Sequence, residues 1–355
     1  MMSQALRVAV VRDGYGGGGD AMTYAALVKH NQWDVNYRRN PPLTAQETPG
    51  LMSLGYATVN AATIMHCLRT ANVVEGAELG YSWTRELIDV ATIPEGRGSV
   101  LPRFRVFPLV WQNLPWIDVS EHTPVIIHGA AGFIARSSMA CDLLRLYGVG
   151  HERIHLCHAS VDTERFKAER IRSGKDDDRV TIGFAGRPVP EKGLNDIMAA
   201  LRALPRELRE RTRLLLAGGF SLTIDSIDGI ALGTYPAIPH HEMPGFYAML
   251  DVFVYPSWPT TGWLEQWGLS VVEAMSSGLP VITTDVGAFR EMIPPELKAH
   301  WTVPARDWVG LRDRLAALIE NESLRRTLGA RNREHVCERF DGRETAVQYR
   351  RAFNA

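Results

Sequence analysis

Short apolar runs punctuated by glycine and proline set the pattern of this chain. "LRVAVV", residues 6–11, is a β-branched run that predicts a buried strand. The glycine stretch "GYGGGGD", a helical segment "AMTYAALVKH" and a strand "DVNYR" follow it. Between Pro41 and Pro124 the periodicity is weak, and it predicts a helix over 54–70 and a strand over 104–111. "GFIARSS" and "RIHLCHASVD" predict the last strands of a first domain, on either side of a helix "MACDLLRLYG". Residues 164–179, "ERFKAERIRSGKDDDR", carry charge without an apolar period and predict a linker.

After the linker the pattern restarts. Strands "VTIGFAG", "RLLLAGG", "IALGTY", "DVFVYPS" and "PVITTD" alternate with helices "LNDIMAALRAL", "MPGFYAML" and "LSVVEAMSSG", and three more helical segments close the chain. Apolar strands alternating with helices imply parallel sheets covered on both faces. The predicted fold class is α/β, with two doubly wound Rossmann-like domains, 1–170 and 171–340, facing across a cleft. Ligands of such sheets bind at the carboxyl ends of the strands.

Composition narrows the function classes. The length of 355 residues suits two domains. A net charge of -1 gives no bulk attraction to nucleic acid or to acidic membranes. Cys67, Cys141, Cys157 and Cys337 lack paired spacing, which argues against a disulfide framework or a zinc site and for a cytoplasmic protein. No apolar run is long enough to span a bilayer, so any membrane contact is expected to be peripheral.

Candidate chemistry concentrates in the second half. "GFAGRPVPEKGL" places Gly186, Arg187, Lys192 and Gly193 just beyond a strand. A forked guanidinium and a point-charge ammonium there suit a diphosphate. "EQWGLSVVEA" holds Glu265 and Glu273 around the expected start of a helix near Leu269 or Ser270. Amides of Gly268, Leu269 and Ser270 would then be unpaired and suited to phosphate. Carboxylates accept from vicinal hydroxyls, so Glu265 and Glu273 suit a sugar and a ribose. Glu273 is expected in the first turn of that helix.

Together "GRPVPEKG", "VYPS" and "EQWGLSVVEAMSSGLPVITTDVGAFREMI" resemble the donor half of retaining glycosyltransferases of GT-B fold, family 4. The resemblance implies that Arg187 and Lys192 hold the diphosphate of a nucleotide sugar, UDP- or GDP-linked, that Glu273 holds the ribose, and that Glu265 holds the transferred hexose. It implies donor contacts from the glycines Gly16, Gly17, Gly186, Gly218 and Gly219 and from Gly268, Leu269 and Ser270. It also implies a metal-independent reaction and a last helix, 341–355, that crosses back to the first domain. The sequence departs from the family in two places. "VWQN" stands where many members have a histidine, which makes Gln112 and Asn113, with His128, the acceptor-side candidates. Ala159-Ser160 stands where many have Asn-Gly.

Rival readings have their own residues. Gly14, Gly16 and Gly19, with Asp34 and Arg38-Arg39, fit a dinucleotide fingerprint and an NADP-dependent oxidoreductase, although Asp34 falls at the start of its strand rather than its end. Asp176 to Asp178 could suggest a metal, but they precede a strand and read as a solvated run. A glycosidase pair would face across a sugar, whereas these glutamates share a loop and a helix turn. A non-catalytic sugar-nucleotide binder remains an alternative. His240-His241 read as surface histidines.

Overall fold

The structure, a computed structural model, describes residues 7–12, 29–30, 34–39, 67, 71–79, 81–92, 104–115, 119–167, 179–220 and 224–355. The glycine stretch 14–19, most of the helix expected over 54–70 and residues 168–178 of the expected linker, with Asp176 to Asp178, lie outside the described residues. The chain divides into two compact units, one made of Met1–Ser160 with Gly342–Ala355, the other of Val161–Asp341.

The first unit is built on a parallel sheet of six strands: β1 (Arg7–Arg12), β2 (Asp34–Arg39), β3 (Val73–Ala77), β4 (Arg105–Val110), β5 (Phe133–Ala135) and β6 (Ile154–Leu156), in the order β2-β1-β3-β4-β5-β6. Strand β3 has no counterpart in the sequence reading, because its apolar run is interrupted by Glu75 and Gly76. Helices Ser82–Thr92, Thr123–Gly129 and Ser138–Leu146 contribute Leu87, Ile88, Ile126, Ala140 and Leu144 to one apolar cluster. The last helix, Gly342–Asn354, places Ala346, Tyr349 and Phe353 at helical spacing against Val8, Val73, Phe107, Leu109 and Ile134. The Arg136 guanidinium, fully buried, lies between the rings of Trp111 and Tyr349 at 5.0 and 5.5 Å and donates to the carbonyls of Cys157 and His158.

The second unit is built on seven strands: β7 (Val180–Ala185), β8 (Thr212–Ala217), β9 (Ser226–Ile227), β10 (Ile230–Tyr235), β11 (Val252–Tyr255), β12 (Val281–Thr284) and β13 (Thr302–Val303), in the order β13-β12-β11-β7-β8-β10-β9. All pairings are parallel except that of β9 with β10. Every residue of β7, β11 and β12 is buried, which is why these strands read as unbroken apolar runs. Helix Leu194–Arg202 packs with Trp308–Glu320, and helix Leu269–Ser276 packs with Glu322–Arg339. The right-handed crossover rule places those two pairs on opposite faces. Among the described residues no helix is long and apolar enough to cross a membrane.

His335, on helix Glu322–Arg339, is buried beside the Phe340 ring, 5.7 Å away. Burial first, then the charges of Arg339 and Arg331, push its imidazole from 6.5 down to about 4. The folded value lies below the unfolded one. The stability this neutral ring contributes is therefore full above pH 6.5 and is lost as pH falls toward about 4. We expect His335→Phe, which keeps the ring packing and removes the titration, to lose less melting temperature across that window than the parent does. Melting followed by circular dichroism through the window checks it, and equal slopes would count against it.

Candidate functional site

Strand order reverses between β7 and β11: β8 and β10 lie on one side, β12 and β13 on the other. Connections from the two central strands therefore leave toward opposite faces and open a crevice at their carboxyl ends. The loop after β7 runs from Gly186 to Gly193 and turns tightly at Pro190–Lys192. It lies hard against the end of β11. Gly193 has φ +79°, and a Cβ there would come within 2.2 Å of the Pro256 carbonyl. The Trp258 amide donates to the Glu191 carbonyl at 2.9 Å. The end of β8 closes in similarly, since Gly218, at φ +126°, would place a Cβ 2.1 Å from the Gly186 carbonyl. Glycine at these two positions lets three strand ends converge.

Lys192 and Glu265 meet in this crevice. The ammonium donates to Glu265 Oε2 at 2.9 Å, and the side chains are only 9% and 7% exposed. The same ammonium lies 4.3 Å from the Trp263 ring centre and 5.3 Å from that of Tyr255. From the sequence, Lys192 is expected on phosphate and Glu265 on sugar; in the structure they are partners. Removing one member of such a pair leaves a buried charge without its counter-charge, which costs about 3–5 kcal/mol. Tyr255 stacks on Phe184, with ring centres 5.3 Å apart. Burial first, then the Glu265 charge, raise its pKa well above the ordinary phenol value; Arg187 opposes this. Arg187 is exposed and close enough to Tyr255 to exert that influence.

Glu273 lies deeper, at 3% exposure. Helix Leu269–Ser276 starts after Gly268, so Glu273 is its fifth residue and opens the second turn rather than standing in the first. The Leu269 amide, expected to be unpaired, bonds the Trp267 carbonyl at 3.0 Å in a tight turn. That leaves Gly268 and Ser270 as the amides the reading can use. Glu273 Oε2 accepts from the Tyr247 hydroxyl at 2.8 Å, and Oε1 lies 2.7 Å from His240 Nε2. His240 is thus a site neighbour rather than a plain surface histidine. Burial, then the Glu273 charge, hold the Tyr247 phenol well above its ordinary pKa, so it stays a donor. The sequence offered one signal for this, a tyrosine inside the apolar helix "MPGFYAML", where a buried hydroxyl needs a partner.

Other candidates fall elsewhere. Gly219, at φ +101°, lies two residues beyond β8 with nothing within 4 Å of its Cβ direction. Gln112 and Asn113 follow β4 in the first unit and are buried there; Ser137 donates to Asn113 Oδ1 at 2.7 Å. His128 is exposed on the last turn of the helix that precedes β5. The Ala131 amide, three residues on, bonds the Val106 carbonyl near the start of β4. His128 therefore stands at the amino edge of this parallel sheet, and Gln112 and Asn113 at its carboxyl edge. The structure does not bring them together. Gly16 and Gly17 lie outside the described residues. Asp34 opens β2, and Arg38 and Arg39 end it. Among the described residues no three His, Cys, Asp or Glu side chains gather as a metal site.

Residues 165–335 match the model of the family glycosyl transferases group 1. A D-inositol 3-phosphate glycosyltransferase of Xylanimonas cellulosilytica is 29% identical over 228 residues, 58% of this chain and 52% of that protein. An MMP alpha-(1->4)-mannosyltransferase of Mycolicibacterium hassiacum is 28% identical over 218 residues, 60% of this chain and 51% of the other. The chain spans about half the length of the curated relatives it matches. In fold, the crystal structure of Anabaena HepE in complex with UDP superposes with a TM-score of 0.69 at 15% identity, over 98% of this chain and 99% of the other. Sequence and topology thus agree: the chain has the GT-B fold and carries, over residues 165–335, the glycosyl transferases group 1 region that it resembles.

Proposed function

We propose that the protein is a retaining, metal-independent glycosyltransferase that moves a hexose from a UDP- or GDP-linked sugar to an acceptor hydroxyl. One observation carries the reading. Arg187 and Lys192 lie on the loop after β7, Glu265, paired with Lys192, on the loop after β11, and Glu273 on the helix that follows it, all inside the region that matches the family. A solved structure of the same fold holds UDP, which favours a nucleoside diphosphate here.

In this reading Arg187 and Lys192 hold the diphosphate, with the amides of Gly268 and Ser270. Glu265 receives sugar hydroxyls beside Lys192, and Glu273 receives the ribose. During transfer the bond from the anomeric carbon to the diphosphate breaks and a bond to the acceptor oxygen forms on the same face. The acceptor proton passes to the departing diphosphate oxygen. Charge develops on that diphosphate, so Arg187 and Lys192 act most strongly in the transition state. Gln112 and Asn113 cannot serve as bases at neutral pH, so neither supplies the acceptor-side base an inverting route needs.

A thermal-shift screen of nucleotide sugars, then proton NMR of the product from an α-linked donor, tests the function. An α-linked product, formed equally well in EDTA, is the expected result; a β-linked product overturns retention. Calorimetry separates the two glutamates. Glu273→Ala should weaken nucleoside diphosphate and nucleotide sugar alike, by about tenfold. Glu265→Ala should weaken the nucleotide sugar while leaving the bare diphosphate nearly untouched, because Lys192 is then released toward phosphate. Equal losses in both variants would refute these roles.

The two cations should also behave differently. Arg187 is exposed, so Arg187→Ala should lower kcat by about a hundredfold with little change in melting temperature. Lys192→Ala should lower kcat and also stability, by about 3–5 kcal/mol, because Glu265 is left buried alone. Adding Glu265→Ala to it should restore part of the stability but none of the activity. A Lys192→Ala protein changed only in KM would contradict the leaving-group role.

A further inference from the structure

We propose that His240, Tyr247 and Phe166 form a positioning set that fixes Glu273 for a ribose diol. Nucleotide affinity is then set partly by the segment through which the chain enters its second unit. The inference rests on the ribose role given to Glu273 above and adds the residues that orient it.

A carboxylate offers about four lone-pair directions, two on each oxygen. Tyr247 takes one on Oε2 and His240 takes one on Oε1. One direction on each oxygen is left, which is what two adjacent hydroxyls require. The two partners also lock the rotamer, so a diol meets a carboxylate already aimed. Tyr247 is fully buried, and its hydroxyl lies 3.2 Å from the Ser270 carbonyl, which ties it to the backbone of Glu273's own helix. His240 comes from the turn Pro239–Glu242, closed by a bond from the Glu242 amide to the Pro239 carbonyl, and its side chain is 29% exposed. It is the adjustable member of the set.

Phe166 seats both. Its ring is fully buried, 5.4 Å from His240 and 6.0 Å from Tyr247. Its backbone is held in turn. The Phe166 amide bonds the Asp162 carbonyl, and the Arg333 guanidinium donates to the carbonyls of Thr163 and Phe166. The same guanidinium bonds the carbonyl of Ser276, the last residue of the helix that carries Glu273. One arginine thus fastens the entry segment to that helix, and one phenylalanine carries the attachment to both partners of the carboxylate. None of these side chains needs to touch a nucleotide to act.

Calorimetry on the whole protein with UDP, GDP and their 2′,3′-dideoxy forms tests this. His240→Ala should weaken the better-bound ribonucleotide by about tenfold and leave its dideoxy form unchanged. His240→Gln, whose amide can donate to the same oxygen, should recover most of the loss. Phe166→Leu should show the same selective loss, smaller in size. Because His240 is partly exposed, its variants keep the test standing where Phe166→Leu fails to fold. Equal losses for ribose and dideoxyribose forms, or no loss in His240→Ala while the parent still prefers ribose, overturn the positioning set alone. A parent protein that binds these nucleotides without regard to the diol overturns the ribose role of Glu273 and the inference with it. A parent that binds no nucleoside diphosphate overturns the function proposed above.

Discussion

A parallel sheet cannot reverse its strand order without parting its connections, and that constraint organises the second unit. From β7 the chain builds outward in one direction, then returns to β11 and builds in the other. The gap between those two strands is where backbone must approach backbone. Gly193 against Pro256 and Gly218 against Gly186 are the places where it does. Everything assigned to chemistry hangs from the two loops that border this gap or from the helix that follows the second.

The charges gathered there are not displayed singly. Lys192 is neutralised by Glu265 and faced by two aromatic rings, and Glu273 is held by a phenol and an imidazole. An unpaired charge at this depth would destabilise the unit by several kcal/mol. Pairing makes such groups tolerable in a packed core while keeping them next to a crevice. Arg187, nearer to water, needs no such arrangement.

Much of this was legible in the sequence and some of it was not. The strands of the second unit stood out because β7, β11 and β12 are buried on both faces and so carry unbroken apolar runs. The loop "GRPVPEKG" stood out because its two cations lie just beyond a buried strand, and the two glutamates because they bracket the expected start of a helix with apolar neighbours. Strand β3 did not, since Glu75 and Gly76 break its apolar run. The bond between Lys192 and Glu265 could not be read either. It joins side chains 73 positions apart, and no periodicity records such a contact. His240 was hidden for a similar reason: a histidine beside a proline in a polar turn looks like solvent-facing chain until the helix carrying Glu273 is folded beneath it.

The way the chain is partitioned bears on how its two cores close. The second unit is one continuous stretch, and its two ends lie side by side: the Val161 amide bonds the Phe340 carbonyl, and Thr163 bonds Asp341. The first unit is interrupted by that whole stretch. Its core joins Val8 on the first strand to Tyr349 and Phe353 on the last helix. The second unit can therefore close from one continuous stretch, whereas the first can close only when segments on either side of that stretch meet. Until helix Gly342–Asn354 docks, Val8, Val73, Phe107, Leu109 and Ile134 lack the cover of Ala346, Tyr349 and Phe353. The unit most open to misassembly is thus the one whose core joins the most distant parts of the chain.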